Sequence, residues 1–435
     1  MNHHSLFRPW TTFIFLCVVT SFVTYSQTYT QQAKLSNSGG TPPSLGVRAQ
    51  EGISVALSAD GNRAILGSPF WGWSPRGGAR GGFWIWSRVN DTWKADTFLS
   101  SSQSWYNSMQ GNAVALSSDG NTALVGGYHD SSEVGSAWVW FRNSQGVWSQ
   151  QGGKLLGIGG TPRVVEIRFG ASVALSSDGN TAIVGAPFDN NQTGAVWIFT
   201  RNGSTWTQQG NKLVGTGAAG SACQGWAVDL SSDGKIAIVG GPGDSSWTGA
   251  AWIFTRNGTT WTQQGQKLVG TNVAGKKTPP LQGFSVALSG DGYVAALGAP
   301  YDSPYDTVSV GAVWVFSRTT LQYTVWTQSK LVASDAINLY SGIGGMEGQG
   351  QSVDFDGSNA LVIGSGGDNR GIGAVWVWSP INSTWKEQCK LIGSNPIRRP
   401  PRQGSAVAVN NDRTTIISGA PNDGDGAAWI FTGKQ

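Results

Sequence analysis

Cysteine is nearly absent from this 435-residue chain: there are three, and Cys17 lies in the apolar run Phe13–Val23 near the start. That leaves Cys223 and Cys389, which fall in distant parts of the repeat described below. A bridge needs the two Cα atoms within about 7 Å, so no disulfide is expected. Histidine is as sparse. Beyond His3 and His4 there is only His129, which excludes multi-histidine metal sites and leaves no histidine-based triad with a matching nucleophile. Charged residues make up 12% of the chain and the net charge is +4, too low and too dispersed for a nucleic-acid surface. Long apolar runs are missing after Val23, so no later segment is expected to span a bilayer.

The start has the form of a secretory signal. His3, His4 and Arg8 make a polar head, the apolar run follows, and Thr24-Tyr25-Ser26 offers small residues for cleavage before Gln27. We therefore expect a signal over 1–26 and a secreted, monomeric chain over 27–435, forming one domain.

What is abundant is glycine, at 63 residues, and tryptophan, at 22. Both fall in a repeat. Phe169–Lys212 reads FGASVALSSDGNTAIVGAPFDNNQTGAVWIFTRNGSTWTQQGNK, and Gln224–Lys267 follows the same frame. A glycine opens seven copies, at Gly52, Gly111, Gly170, Gly225, Gly283, Gly350 and Gly404. A tryptophan marks the middle of each, at Trp84, Trp138, Trp197, Trp252, Trp314, Trp376 and Trp429, with a spacing of 53 to 62 residues. Such periods belong to propeller arrays.

Each copy parses into four strands. Strand A is SVAL-like, and an Asp-Gly pair that suits a tight hairpin follows in six copies, Asp356-Gly357 among them. Strand B is TAIVGAP-like, strand C carries the column tryptophan and a second aromatic two residues on, and strand D carries WTQQ and KL. Residues i and i+2 share a strand face, so every blade offers an aromatic pair to a neighbour. The predicted fold is an all-β, seven-bladed β-propeller with four antiparallel strands per blade. The seventh copy stops at Gln435 without strand D, and Thr28–Leu35 (TYTQQAKL) supplies the missing sequence, so the N-terminal strand should close the last blade.

With FGASVALSSDG, AIVGAP and GAVWIF in view, the chain resembles the FG-GAP repeat family, known from the propeller heads of integrin α subunits. In that family several A–B loops read Asp-x-Asp-x-Asp-Gly and hold calcium. Here the place reads Ser-Ser-Asp-Gly, and Asp354-Phe355-Asp356-Gly357 is the nearest approach. Calcium takes six to eight oxygens, so neither calcium nor another cofactor is expected, nor is an integrin-like heterodimer.

The B–C and D–A loops share one face and vary most, which makes that face the expected binding surface. Six copies carry an aspartate two residues past the GAP position: Asp130, Asp189, Asp244, Asp302, Asp368 and Asp423. They are either a carboxylate ring at the channel mouth or caps of their own loops. Trp71, Trp73, Trp105 and Trp247 lie in loops of this face, outside the repeating columns, and Trp226 stands at the start of a strand A. Trp71 and Trp73 accompany Arg76 and Arg80 in the long first B–C loop. Basic residues also collect at Lys276-Lys277 and at Arg398-Arg399 with Arg402. Asn90, Asn191, Asn202, Asn257 and Asn382 head glycosylation sequons. The expected function is recognition of an extracellular glycan or protein. A glycan-cleaving enzyme using the loop aspartates, or a structural surface protein, are the alternatives.

Overall fold

The computed structural model describes residues 27–36, 48–73, 78–105, 107–160, 166–272, 279–302, 310–320, 325–337, 348–397 and 400–434. The expected signal over 1–26 lies outside them, as do Arg76, Lys276, Lys277, Arg398 and Arg399.

These residues form seven four-stranded antiparallel sheets, each ordered A-B-C-D. In blade 3 the strands are Ser172–Leu175, Thr181–Ala186, Ala195–Asn202 and Thr205–Gln208. Blade 7 takes its strand D from the other end of the chain: Thr28–Leu35 pairs with Ala427–Lys434, setting Tyr29 opposite Gly433 and Lys34 opposite Trp429. The two termini thus complete one sheet, as the sequence predicts.

Hydrophobic side chains settle between blades. Trp197 and Phe199 of blade 3 pack with Leu124 and Val139 of blade 2, and Trp429 and Phe431 of blade 7 pack with Val362 and Val377 of blade 6. A single sheet has nothing to cover such a face, so the ring itself completes the core. Six of the column tryptophans are fully buried, and Trp197, Trp252, Trp314 and Trp429 donate their indole N–H to a carbonyl of the D–A loop.

The glycines of the GAP position explain how tightly the blades approach. A Cβ on Gly185 would stand 2.2 Å from the carbonyl oxygen of Gly225 in the next blade, and one on Gly419 would stand 2.0 Å from that of Gly52. Blade 7 therefore meets blade 1 as blade 3 meets blade 4, and the circle is closed.

On the face of short turns, backbone bonds link successive blades. Ala59 N–H donates to Ser118, Ser118 to Ser177, Ser177 to Ser232 and Ser232 to Gly290; Gly357 donates to Asn411, and Asn411 returns to Ala59. Among the described residues no such bond joins Gly290 to Gly357. Blade 6 is the irregular one, and it corrects the expected Asp-Gly turn there. Its A–B connection is one residue shorter, so Asp356, whose N–H bonds to the Ala360 carbonyl, takes the place of Ser176, whose N–H bonds to Thr181. The positive φ falls at Asn359 (65°) rather than at Gly357.

Candidate functional site at the axial channel and loop face

The innermost strands surround an axial channel of about 270 Å³. Its wall is mostly Val and Ala, except at two points where the repeat's alanine is replaced by Asp229 in blade 4 and Asp354 in blade 6. An inner strand has no partner on its channel side, so its N–H groups need acceptors. Asp229 accepts from Leu230 and, across the blade boundary, from Leu288, both at 2.8 Å. Asp354 accepts likewise from Phe355 at 3.0 Å and from Val409 at 2.8 Å. The channel is wide enough for water and leaves both residues half-buried, but protein encloses them on all sides. That desolvation pushes Asp229 up to about 6 and Asp354 up to about 8, against the lowering effect of the backbone bonds. The charge of Asp229 adds to the rise at Asp354.

At the loop face the channel widens into a mouth formed by the residue that follows each opening glycine. This position changes identity from blade to blade: Ile53, Asn112, Ala171, Trp226, Phe284, Gln351 and Ser405. Trp226 and Phe284 lie side by side with ring centroids 5.8 Å apart. Next to Trp226 a pocket of about 240 Å³ is lined by Asn112, Tyr128, Arg168, Ala171 and Pro187. Arg168 sits in the turn before Gly170 with φ 57°, in the left-handed region that a long side chain rarely adopts. Its guanidinium lies 4.2 Å from the centroid of Phe188 and 5.5 Å from that of Tyr128, and it pairs with Glu166 at 2.7 Å. His129 lies against Tyr128 with ring centroids 4.4 Å apart and planes tilted by 49°, and burial followed by the Arg168 charge lowers its basicity.

The residue before each opening glycine sets the turn that carries this mouth. In blade 4 it is Gln224, whose side-chain amide accepts from Gly215 N–H (2.5 Å) and donates to Gly215 C=O (2.9 Å). Gln282 clasps Gly270 in the same way. In blade 3 the place belongs to Phe169, whose ring packs 5.5 Å from that of Trp197. This one copy therefore combines a literal Phe-Gly with a literal Gly-Ala-Pro.

Residues 166–199 match the FG-GAP repeat. No curated protein matches the chain. Around this FG-GAP copy the other six blades keep the architecture while most of them substitute the glutamine clasp for phenylalanine.

The six loop aspartates do not form an open carboxylate ring. All are at most 2% exposed. Each pairs with a lysine in or just past its own outer strand: Asp130 with Lys154 (2.7 Å), Asp189 with Lys212 (2.5 Å), Asp244 with Lys267 (2.5 Å), Asp368 with Lys390 (2.9 Å), and likewise Asp302 with Lys330 and Asp423 with Lys34. The second oxygen holds the incoming D–A loop where Trp105, Ala219 and Ile337 donate their N–H to Asp130, Asp244 and Asp368. Burial alone would raise Asp130, but bonds from Lys154, Ser136, Trp105 and Ser131 outweigh it and hold the carboxyl below its ordinary value. The sequence shows the aspartate column plainly; its lysine partner in the KL motif, about 23 residues on, is the missing half of the pattern.

Of the loop tryptophans, Trp71 and Trp73 are half-buried, and Trp71 packs edge-on to Trp84 at 6.2 Å. Arg80 is exposed. Trp105 and Trp247 are exposed, at 63% and 44%. Trp247 ends a run with Ser245 and Ser246 in which all three residues have φ between 50° and 70°. Such a left-handed turn costs on the order of 1–2 kcal/mol per residue, and it holds the indole out from the loop face. The sequon asparagines Asn90, Asn191, Asn202, Asn257 and Asn382 are all exposed. Cys223 is buried and Cys389 half-buried, and neither is bridged. No helix among the described residues is long and apolar enough to cross a membrane.

Proposed function

We propose that this propeller is a secreted recognition module that binds a glycan at the loop-face mouth of its channel, in the pocket between Trp226, Tyr128, Arg168 and Asn112. The observation that carries this reading is the mouth register. In a chain that repeats its core residues seven times, this register holds a different residue in every blade and gathers two aromatic rings beside a polar pocket. An aromatic face suits the apolar side of a sugar ring, and the Arg and Asn donors suit its hydroxyls. The exposed Trp105 and Trp247 extend the surface that a longer chain would meet. The five exposed sequons suit passage through a glycosylating secretory route.

A glycan array followed by calorimetry on the best-bound sugar tests the reading. Trp226→Ala should weaken binding at least tenfold, the loss typical of a stacking anchor. Trp71→Ala should lower stability while leaving affinity within twofold. Equal affinity of Trp226→Ala and the native chain would place the ligand elsewhere. No bound sugar, together with turnover of a polysaccharide, would favour an enzyme.

A further inference from the structure

The junction between blades 1 and 2 carries charged residues at two neighbouring positions that hold threonine and glutamine in blades 2, 3 and 7. At the two flanking junctions the arginine at the end of strand C reaches back to the preceding blade. Arg201 donates to Thr122 Oγ1 (3.1 Å) and to Gln151 Oε1 (3.4 Å), and Arg88 to Thr415 Oγ1 (3.5 Å). The same glutamine accepts the strand D indole: Trp206 to Gln151 (2.9 Å), Trp261 to Gln209 (2.9 Å) and Trp93 to Gln32 (3.1 Å). In blade 1 the threonine place holds Arg63 and the glutamine place holds Asp96, which instead accepts from Ser87.

Arg142, the equivalent arginine of blade 2, therefore faces another arginine where it would meet a hydroxyl. Its charge is the leading electrostatic influence on Arg63, after burial. No hydrogen bond or ion pair of the Arg142 guanidinium occurs among the described residues. The indole Nε1 of Trp148 and the Nε of Arg63 are buried and without partners there as well. Arg63 is held in position by its Nη1 bond to the Gly120 carbonyl at 3.0 Å. All these groups line one cleft of about 590 Å³, in which Arg63, Arg88 and Arg142 outnumber the single carboxylate of Asp96.

We propose that this cleft is an oxyanion site, with Arg142, Arg63 and the Trp148 indole as donors. The orphaned groups are all donors, so the ligand must accept. Guanidinium forks converging from two blades favour a sulfate-like group with oxygens on several sides. The cleft lies between outer strands and short turns, and this proposal does not depend on the reading of the channel mouth.

The test is calorimetric titration of the full chain with sodium sulfate, at ionic strength held constant with sodium chloride. One sulfate should bind per chain. Arg142→Gln should weaken it at least tenfold. The double variant Arg63→Thr with Asp96→Gln installs the threonine and glutamine that blades 2, 3 and 7 carry. It removes one positive and one negative charge, so its net charge is unchanged, and it should fold at least as stably as the native chain while losing sulfate. A sulfated disaccharide that binds at least tenfold more tightly than free sulfate, with its unsulfated counterpart inert, would identify a sugar-borne group. Equal affinities would identify the free ion. Absence of heat with both sulfate and the sulfated disaccharide, or unchanged affinity in both variants, overturns the proposal.

Discussion

Trp71 and Phe98 meet with ring centroids 4.8 Å apart, where the other six blades place a buried aspartate and its lysine. Pro69-Phe70-Trp71 aligns with Pro187-Phe188-Asp189, and Phe98 pairs across from Trp84 as Lys390 does from Trp376. One blade thus fills with two rings the space that its siblings fill with an ion pair.

That exchange predicts strong coupling. Trp71→Asp alone should bury a carboxylate against Phe98, and Phe98→Lys alone should bury an ammonium against Trp71. The double variant should recover part of the loss. Chemical denaturation of all four chains should give a favourable coupling of about 0.5–3 kcal/mol. Additive effects would show that the two positions do not substitute as a unit.

Lys154→Met should cost about 3–5 kcal/mol, because it leaves the buried Asp130 without its cation. Adding Asp130→Asn should restore some of this. The partners of Asp130 hold its carboxyl below 3.8 in the fold. Its contribution is therefore present above pH 3.8 and lost as the pH falls through the folded value. Melting curves of the variants between pH 3 and pH 7 check both statements.

The channel acids run the other way. Asp229 and Asp354 are raised from 3.8 to about 6 and about 8, so their stabilisation belongs to the protonated form and is lost as the pH rises between 4 and 8. Asp354→Asn should melt close to the native chain at pH 5 and above it at pH 9. A constant difference across that range would contradict the assignment.

Cutting off the strand Thr28–Leu35 should open the last sheet and uncover Trp429, which this strand crosses at Lys34. The truncated chain is expected to be cleaved in blade 7 by a protease that spares the full chain. A synthetic peptide of that sequence should restore protection. Blade 7 remaining resistant without it would mean the outer strand is dispensable.

The fold is legible in the sequence because its determinants repeat. Gly170 and Gly225, Trp197 and Trp252 recur at one period, and each does the same job in each sheet. The site is harder to read for the opposite reason. Trp226 and Phe284 matter by differing from their counterparts, so no column announces them, and Arg168 is aimed by a turn whose left-handed residue leaves no motif. Asp229 hides inside a strand as one change from alanine. The aspartate column was conspicuous, yet its role depended on a lysine that reaches it from the outer strand. In blade 6 a single missing residue shifted Asp356 out of the turn it resembles.

Among the described residues the girdle of backbone bonds on the short-turn face has one open link, from Gly290 to Gly357, and it does not coincide with the sheet made from the two chain ends. Covalent discontinuity and mechanical weakness are thus separated by a blade. Under heat or load the circle should part first between its fifth and sixth sectors, while the stitched seventh sector holds.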